Sequence, residues 1–540
     1  MRCAEVHEAR RGILLVQLYG PLQPPDAEPL SVATLAGHVA AALPELHIVT
    51  CAANPLLEPN AASRIANLAI HGEFEIVGLS VPQGTLSLAL ETMESLKACP
   101  SERRPQVVLG HALPTYFPEP FLTRDSSALI LRGWAEQSLV SIVAGLARPG
   151  FDLGAVPGLT RMVDGRVATS PIVNLPSLKL LTSPPRRLQG QFFRRIESSR
   201  GCGYGMCTFC TRPPGDRGAW ARFPLERVFQ DVHDLRSKGA RHFTFTDEDF
   251  IGADPDGAKM ISRVVKEAGD MTYTASVRAT SLLHAVRPTR TSPDATELLT
   301  TLRHHGLAKV FLGVESLSRS QLRRYGKGGS PHSAIIAVNL LLHAGIDVEV
   351  GFIPFDPLVT EKELLESYSL LWSSGLWRVV GSPFSRVRIQ PDSRLVADHR
   401  YRAFLTDFDT DCMSWNWSFR NPRVHEIYEL CNSWWRDFDP VYSALRNIDR
   451  SRQVENIQRA IQGVREASVR ASLVALECTA DPSSPERYLK LERLAASRNG
   501  IVESMVDTLT KSRLAFSDPA VSYFLAAAAN LRPWRTADAL

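Results

Sequence analysis

Twice along this chain of 540 residues, short apolar runs alternate with segments of helical period. That alternation limits the fold more than any single motif does. In the first block the strand-like runs are 12–18 (GILLVQL), 46–50 (LHIVT), 74–81 (FEIVGLSV), 106–110 (QVVLG) and 127–133 (SALILRG). Helix-patterned segments at 31–43, 61–70, 86–97 and 136–146 follow or separate them. Apolar strands joined through helices predict a parallel sheet covered on both faces. The second block begins at Phe192, with strand-like runs at 192–197, 242–246, 272–277, 309–313, 347–353 and 378–380. Helical segments at 225–238, 257–268, 295–305, 333–344 and 361–374 lie between them. Six such units predict a barrel, complete or partial, with its chemistry at the carboxyl ends of the strands.

Residues 151–190 lack a strong period and are richer in Pro, so they read as a linker with a hairpin around Val163-Asp164-Gly165-Arg166. Beyond about 385 the pattern changes: Trp415, Trp417, Trp434 and Trp435 crowd a short region, and the chain after Arg450 is mostly helical. The tryptophans read either as a cap on a substrate cavity or as a structural aromatic cluster. The expected fold class is therefore α/β: a doubly wound parallel sheet (1–150), the linker (151–190), a partial six-unit barrel (191–385) and a mainly helical substrate-capping region (386–540).

Charge and composition narrow the class. Lys+Arg of 61 against Asp+Glu of 57 names neither nucleic acid nor an acidic membrane as partner. Hydrophobic content of 44% with 22% charged residues suits a soluble globular protein. No run of apolar residues is long enough to span a bilayer, and MRCAEVHEARRGILLVQLYG lacks the length and cleavage site of a signal peptide. The expected location is the cytoplasm, where the nine cysteines are reduced thiols or metal ligands.

Three of those cysteines, Cys202, Cys207 and Cys210, fall within GCGYGMCTFC; the others, Cys3, Cys51, Cys99, Cys412, Cys431 and Cys478, are scattered. Three thiolates on one loop suit a zinc site completed by a remote His. They suit better a four-iron cluster whose remaining iron has no protein ligand and is free to bind a small molecule.

The loop with its preceding Glu197-Ser198-Ser199-Arg200 resembles the radical S-adenosylmethionine (SAM) enzymes, and more narrowly their cobalamin-dependent branch. The order of parts over about 10–385 resembles that branch as well. The common spacing there is C-x3-C-x2-C, whereas four residues separate Cys202 from Cys207 here; Gly203 and Gly205 would let the loop bulge. The resemblance implies that Cys202, Cys207 and Cys210 ligate a [4Fe-4S] cluster and that SAM binds its open iron. It places Phe209 near the adenine, Asp247 or Asp249 (in HFTFTDEDF) on the SAM ammonium, and Arg278 on its carboxylate. Glu315 and Ser316 (in GVES) match a later strand end, with Glu315 on the ribose, and Phe352 and Ile353 support the adenine.

The first block resembles the cobalamin-binding domain of such enzymes through GLSVPQGT, VVLGHALPT and RGWAEQSL. Ser80, Gln83, Gly84, Thr85, Gly110, His111 and Gly133 are the implied cobalamin contacts, the small residues admitting close backbone approach. The Asp-x-His-x-x-Gly cobalt-ligating signature is absent, which leaves His111 as the nearby imidazole.

The resemblance implies a methyltransferase. A 5′-deoxyadenosyl radical takes a hydrogen atom from an unactivated carbon (or phosphorus) centre of a specialised-metabolite intermediate, and methylcobalamin supplies the methyl. The expected partners are a small-molecule or peptide substrate and a flavodoxin- or ferredoxin-type electron donor, with no membrane and no nucleic acid. Cyclisation, oxidation or rearrangement with the same cofactors is the alternative. A methylthiotransferase would need a second cluster on Cys3, Cys51 and Cys99, whose flanks do not look like cluster loops. A non-catalytic iron–sulfur or zinc protein is the remaining class.

Overall fold

The computed structural model describes residues 12–511 except 21–27, 56–57, 147, 173–176, 187–193, 213–217, 288–295, 437–438, 440–441, 444, 447–454, 482 and 485. Strands β1 (Gly12–Leu18), β2 (His47–Ala53), β3 (Ile76–Ser80), β4 (Gln106–Gly110) and β5 (Leu129–Leu131) run parallel in the order β2-β1-β3-β4-β5. Every residue of β1 is buried, as a strand between two helical layers requires. The chain leaves β1 in one direction to make β2 and returns to its other side for β3. The crevice outside β1 and β3 is thus the switch point where doubly wound sheets bind ligands.

The segment expected to be a linker does more than link. Strands β6 (Leu159–Val163) and β7 (Arg166–Thr169) add an antiparallel hairpin to the edge of the first sheet. Its two-residue turn has φ of +48° at Asp164 and +73° at Gly165, the paired left-handed conformation that tight hairpins need.

The second sheet begins with β8 (Arg195–Ile196). Phe192 and Phe193, expected in the same strand, lie outside the described residues. Strands β9 (Ser199–Gly201) and β10 (Trp220–Arg222) then form a small antiparallel pair. The sheet continues through β11 (His242–Phe245), β12 (Thr272–Arg278), β13 (Leu307–Glu315) and β14 (Asp347–Phe352), all parallel, in the order β8-β11-β12-β13-β14. The sixth expected strand, 378–380, shrinks to one bridge between Val380 and Val350, because Leu376–Arg378 winds into a 3-10 turn after Gly375. The barrel is therefore open at that side.

The C-terminal region covers the open side. Helix Glu455–Ala480 packs on helix Glu361–Ser373, and Arg465 donates to the Arg378 carbonyl at 2.8 Å. Trp434 is fully buried and stacks with Trp435 at 6.3 Å, with Phe384 edge-on to both. They are part of the barrel's core, not a cap on a cavity. The region also carries a hairpin, β15 (Leu405–Asp409) and β16 (Ser414–Trp417), which reaches back to the first sheet. Gly84 N donates to the Asp411 carbonyl at 2.8 Å, Leu86 N donates to the Asp411 carboxylate at 2.9 Å, and Met413 joins the first sheet's core. Among the described residues no helix is long and apolar enough to cross a membrane.

Candidate active site

The cysteine loop is set by what flanks it. Gly201 ends β9 with φ of +92°, and a Cβ there would lie 2.1 Å from the Ala219 carbonyl oxygen, so only glycine fits. Gly205 (φ +58°) makes the left-handed bend inside the loop. The far side is tied to residues 324–328: Thr208 N donates to the Tyr325 carbonyl at 2.8 Å, Thr208 Oγ1 to the Arg324 carbonyl at 3.1 Å, and Tyr204 Oη to the Gly326 carbonyl at 2.8 Å. Ser393 donates to the Thr208 carbonyl at 3.0 Å. Cys202, Cys207 and Cys210 are half-buried and form no disulfide.

The three thiols act on one another. Burial pushes the Cys207 thiol up; the ammonium of Lys327 opposes that, and Cys210, Glu315 and Cys202 reinforce it. Arg212 feels the charge of Cys210 and Cys202. Arg278 lies 4.5 Å over the Tyr204 ring. Three thiols from one loop that form no disulfide, attended by Lys327, Arg212 and Arg278, are the donor set and charge environment that suit a thiolate-bound iron–sulfur cluster. Among the described residues no group of His, Cys, Asp and Glu side chains is gathered tightly enough for a single metal ion; a four-iron body is wider than one ion.

The two aspartates singled out in HFTFTDEDF turn away from this space. Phe243, Phe245, Asp247 and Asp249 are all buried, while Thr246 and Glu248 are exposed. The period of two that buries the phenylalanines carries the aspartates to the same side. Asp247 accepts from Ser198 N and Ser199 Oγ, each at 2.8 Å, and from Ser198 Oγ; burial raises its pKa to about 6 despite these bonds. Asp249 accepts from Arg278 N at 3.3 Å and Ser281 Oγ at 2.5 Å. Both brace the scaffold. The carboxylate that reaches the cysteine loop is Glu248, which accepts from Gly201 N at 2.9 Å and pairs with Arg212 at 2.5 Å. Strand parity was the signal that could have found it.

The remaining expected SAM contacts divide. Glu315 pairs with Lys327 at 3.0 Å. Ser316 is fully buried, donates to Gln321 at 2.6 Å and accepts from Ser318 N at 3.0 Å, so its hydroxyl shapes a turn. Phe209 meets Tyr325 edge-on at 5.2 Å, and Phe352 meets Tyr368 at 6.0 Å in the core.

At the carboxyl edge of the first sheet lies a cavity of about 670 Å³, a size usual for small-molecule sites. Ser80, Gln83, Gly110, His111 and Gly133 line it; Gly84 and Thr85 do not. Gly84 docks on Asp411, and the Thr85 hydroxyl donates to the Pro82 carbonyl at 2.7 Å. The opposite wall comes from the barrel side: Glu197, Arg200, Thr211, Arg212 and Thr246, with Met413 from the hairpin. One cavity thus joins the sheet edge to the exit of the cysteine loop.

His111 adopts a strained φ of +77° and its Nδ1 accepts from Ala112 N at 2.8 Å. The neutral ring therefore carries its proton on Nε2, and that hydrogen bond disfavours a metal bond from either nitrogen. Its side chain lines the cavity, and the surrounding protein pushes its pKa down to about 4.

Buried ion pairs join the two halves. Arg200, adjacent to the loop, bonds Glu136 at 2.6 Å and Glu197 at 2.9 Å, with its guanidinium 4.2 Å over Trp134. Arg186 bonds Glu28 at 2.5 Å, and Glu28 also accepts from Arg195 N at 2.8 Å.

Comparison with known proteins places these features. Residues 196–371 match the radical SAM superfamily model. The 4′-phospho-dehydrooxetanocin synthase of Priestia megaterium is 29% identical over 307 residues, 53% of this chain and 41% of that protein. An uncharacterized methyltransferase of Pyrococcus horikoshii is 26% identical over 270 residues, 48% of this chain and 56% of that protein. The matches thus span about half the length of these relatives. The chain shares the fold of the cobalamin-dependent SAM radical enzyme OxsB, solved with aqua-cobalamin (TM-score 0.79, 18% identity, 97% of this chain, 85% of that one). It shares that of the radical SAM methyltransferase TsrM from Kitasatospora setae less completely (TM-score 0.58, 15% identity, 71% and 74%).

Proposed function

Starting from a radical SAM domain in a chain with the fold of cobalamin-dependent enzymes, we propose that this protein is itself a cobalamin-dependent radical SAM enzyme acting on a small molecule, with methyl transfer as its reaction. The observation that carries this reading is the shared cavity, whose walls come from both the sheet edge and the loop exit. Cys202, Cys207 and Cys210 would hold a [4Fe-4S] cluster, and Ser80, Gln83, Gly110, His111 and Gly133 would face cobalamin. When bound, these groups would supply the electron that cleaves SAM and the carrier for a methyl group. The chain's own task is placement. Gly110 and Gly133 leave the sheet edge open, Glu248 holds Arg212 beside Cys202, and Arg200 fixes the loop against the first sheet. A flavodoxin- or ferredoxin-type protein would deliver the electron.

A second reading, oxidation or rearrangement with the same cofactors, is favoured by the relative named as a dehydrooxetanocin synthase. Anaerobic reconstitution followed by turnover with methyl-labelled SAM separates the two. Methyl transfer puts label into the product. The second reading gives 5′-deoxyadenosine with no label transferred. Failure to retain iron or cobalt after desalting would sink both.

A further inference from the structure

We infer that Lys327, held in place by Glu315, sets the reduction potential of the cluster carried by Cys202, Cys207 and Cys210; this rests on the cluster reading above. The pair is built into the barrel at a cost in backbone strain. β13 breaks register between Gly313 and Glu315, and Glu315 takes φ of +66°. A non-glycine residue in that region is strained and persists where its surroundings enforce it. The neighbouring strand positions are emptied for it. A Cβ on Gly313 would lie 2.6 Å from Glu315 Oε1 and 2.8 Å from Lys327 Nζ, and one on Gly351 would lie 3.4 Å from Glu315 Oε2. Lys327 Nζ and Glu315 Oε1 meet at 3.0 Å with both side chains 12% exposed.

The backbone places Lys327 against the loop. Tyr325 is bonded to Thr208, Gly326 sits under the Met206 carbonyl and Gly328 under the Tyr204 ring, so residue 327 falls opposite the stretch that leads into Cys207. The other two cations nearby are paired as well, Arg278 with Thr280 and Asp249 and Arg212 with Glu248, and share in the field around the thiols. A four-iron cluster on three thiolates is anionic and gains one more negative charge on reduction, the electron coming from a low-potential donor outside the chain. A buried cation beside it favours the reduced form, and a carboxylate beside that cation weakens the effect. The two side chains therefore pull the potential in opposite directions.

The test is an EPR-monitored redox titration, without SAM, of the reconstituted full-length protein and its K327M, K327R and E315Q variants, with dithionite and mediators. K327M is expected to lower the reduction equilibrium about tenfold, about 59 mV for one electron. K327R should stay near the parent and E315Q should rise. An unchanged midpoint in iron-replete K327M, or a shift of K327M and E315Q in the same direction, overturns the inference. Should K327M fail to take up iron, an unchanged E315Q midpoint overturns it alone. A parent protein that takes up no iron overturns the cluster reading instead.

Discussion

Two parallel sheets in this chain both present their carboxyl edges to one cavity, and they furnish those edges by opposite means. The first contributes small and neutral groups: Ser80, Gly110, Gly133 and a His111 held uncharged. The second contributes charge: Arg200 and Arg212 on the cavity wall, and beyond it Lys327 with Glu315 and Arg278 around three thiols. One edge makes room and the other makes a field. A large ligand needs space and tolerates a bland wall, whereas an anionic cluster needs fixed compensating charge. The same architecture serves both because the strand ends position backbone, and side chains decide the rest.

The sharpest way to break that comparison is to disable one edge and ask whether the other notices. Cys207→Ala should abolish iron retention, read by metal analysis after reconstitution, and leave cobalamin retention intact. Gly110→Leu should do the reverse by filling the cavity. A variant that loses both would show the edges to be one site, not two.

Separating the halves is the next largest effect. Arg200→Met strands Glu136, while Glu197 keeps Arg227 at 3.7 Å, and an unpaired buried charge typically costs about 3–5 kcal/mol. The denaturant midpoint should fall, and the added Glu136→Gln should restore part of the loss. If the midpoint does not move, the buried clamp does not hold the halves together.

The pH dependence sharpens the contrast. Asp247, in the barrel, has its folded pKa raised from 3.8 to about 6, so the folded state holds the proton more tightly than the unfolded one. Its contribution is present below about pH 4 and lost as pH rises to about 6, worth up to about 3 kcal/mol. His111, in the cavity, is lowered from 6.5 to about 4, so its contribution is present above pH 6.5 and lost as pH falls toward 4. Asp247→Asn should remove the first slope and His111→Gln the second, each read from unfolding curves between pH 4 and 7. Matching slopes in the two variants would contradict the opposite signs assigned to Asp247 and His111.

The smallest effect expected is at the hairpin. Asp411→Ala removes a carboxylate that accepts from Leu86 N at the start of helix Leu86–Lys97. About 1 kcal/mol of local stability should go with it. Faster hydrogen exchange confined to residues 86–97 would show it.

Most strands and helices were legible because apolar period is local, and the cysteine loop was legible because its residues are contiguous. What the sequence hid was of two kinds. The Asp247 and Asp249 assignment overlooked parity, which was present in Phe243 and Phe245 and pointed to Glu248 instead. The Gly84 and Thr85 assignment had no local remedy, since the partner that occupies Gly84 is Asp411, 327 positions along the chain. The sixth strand failed for a third reason: Leu376–Arg378 finds its backbone partners in a 3-10 turn, so β-forming residues alone did not decide the outcome.

Met413 gives the hairpin a meaning in time. Its side chain belongs to the core of the first sheet, whose last parallel strand ends at Leu131. A ribosome adding ~5–20 residues per second needs roughly a quarter of a minute to a minute to travel from one to the other. Through that interval the sheet edge stands without one of its walls.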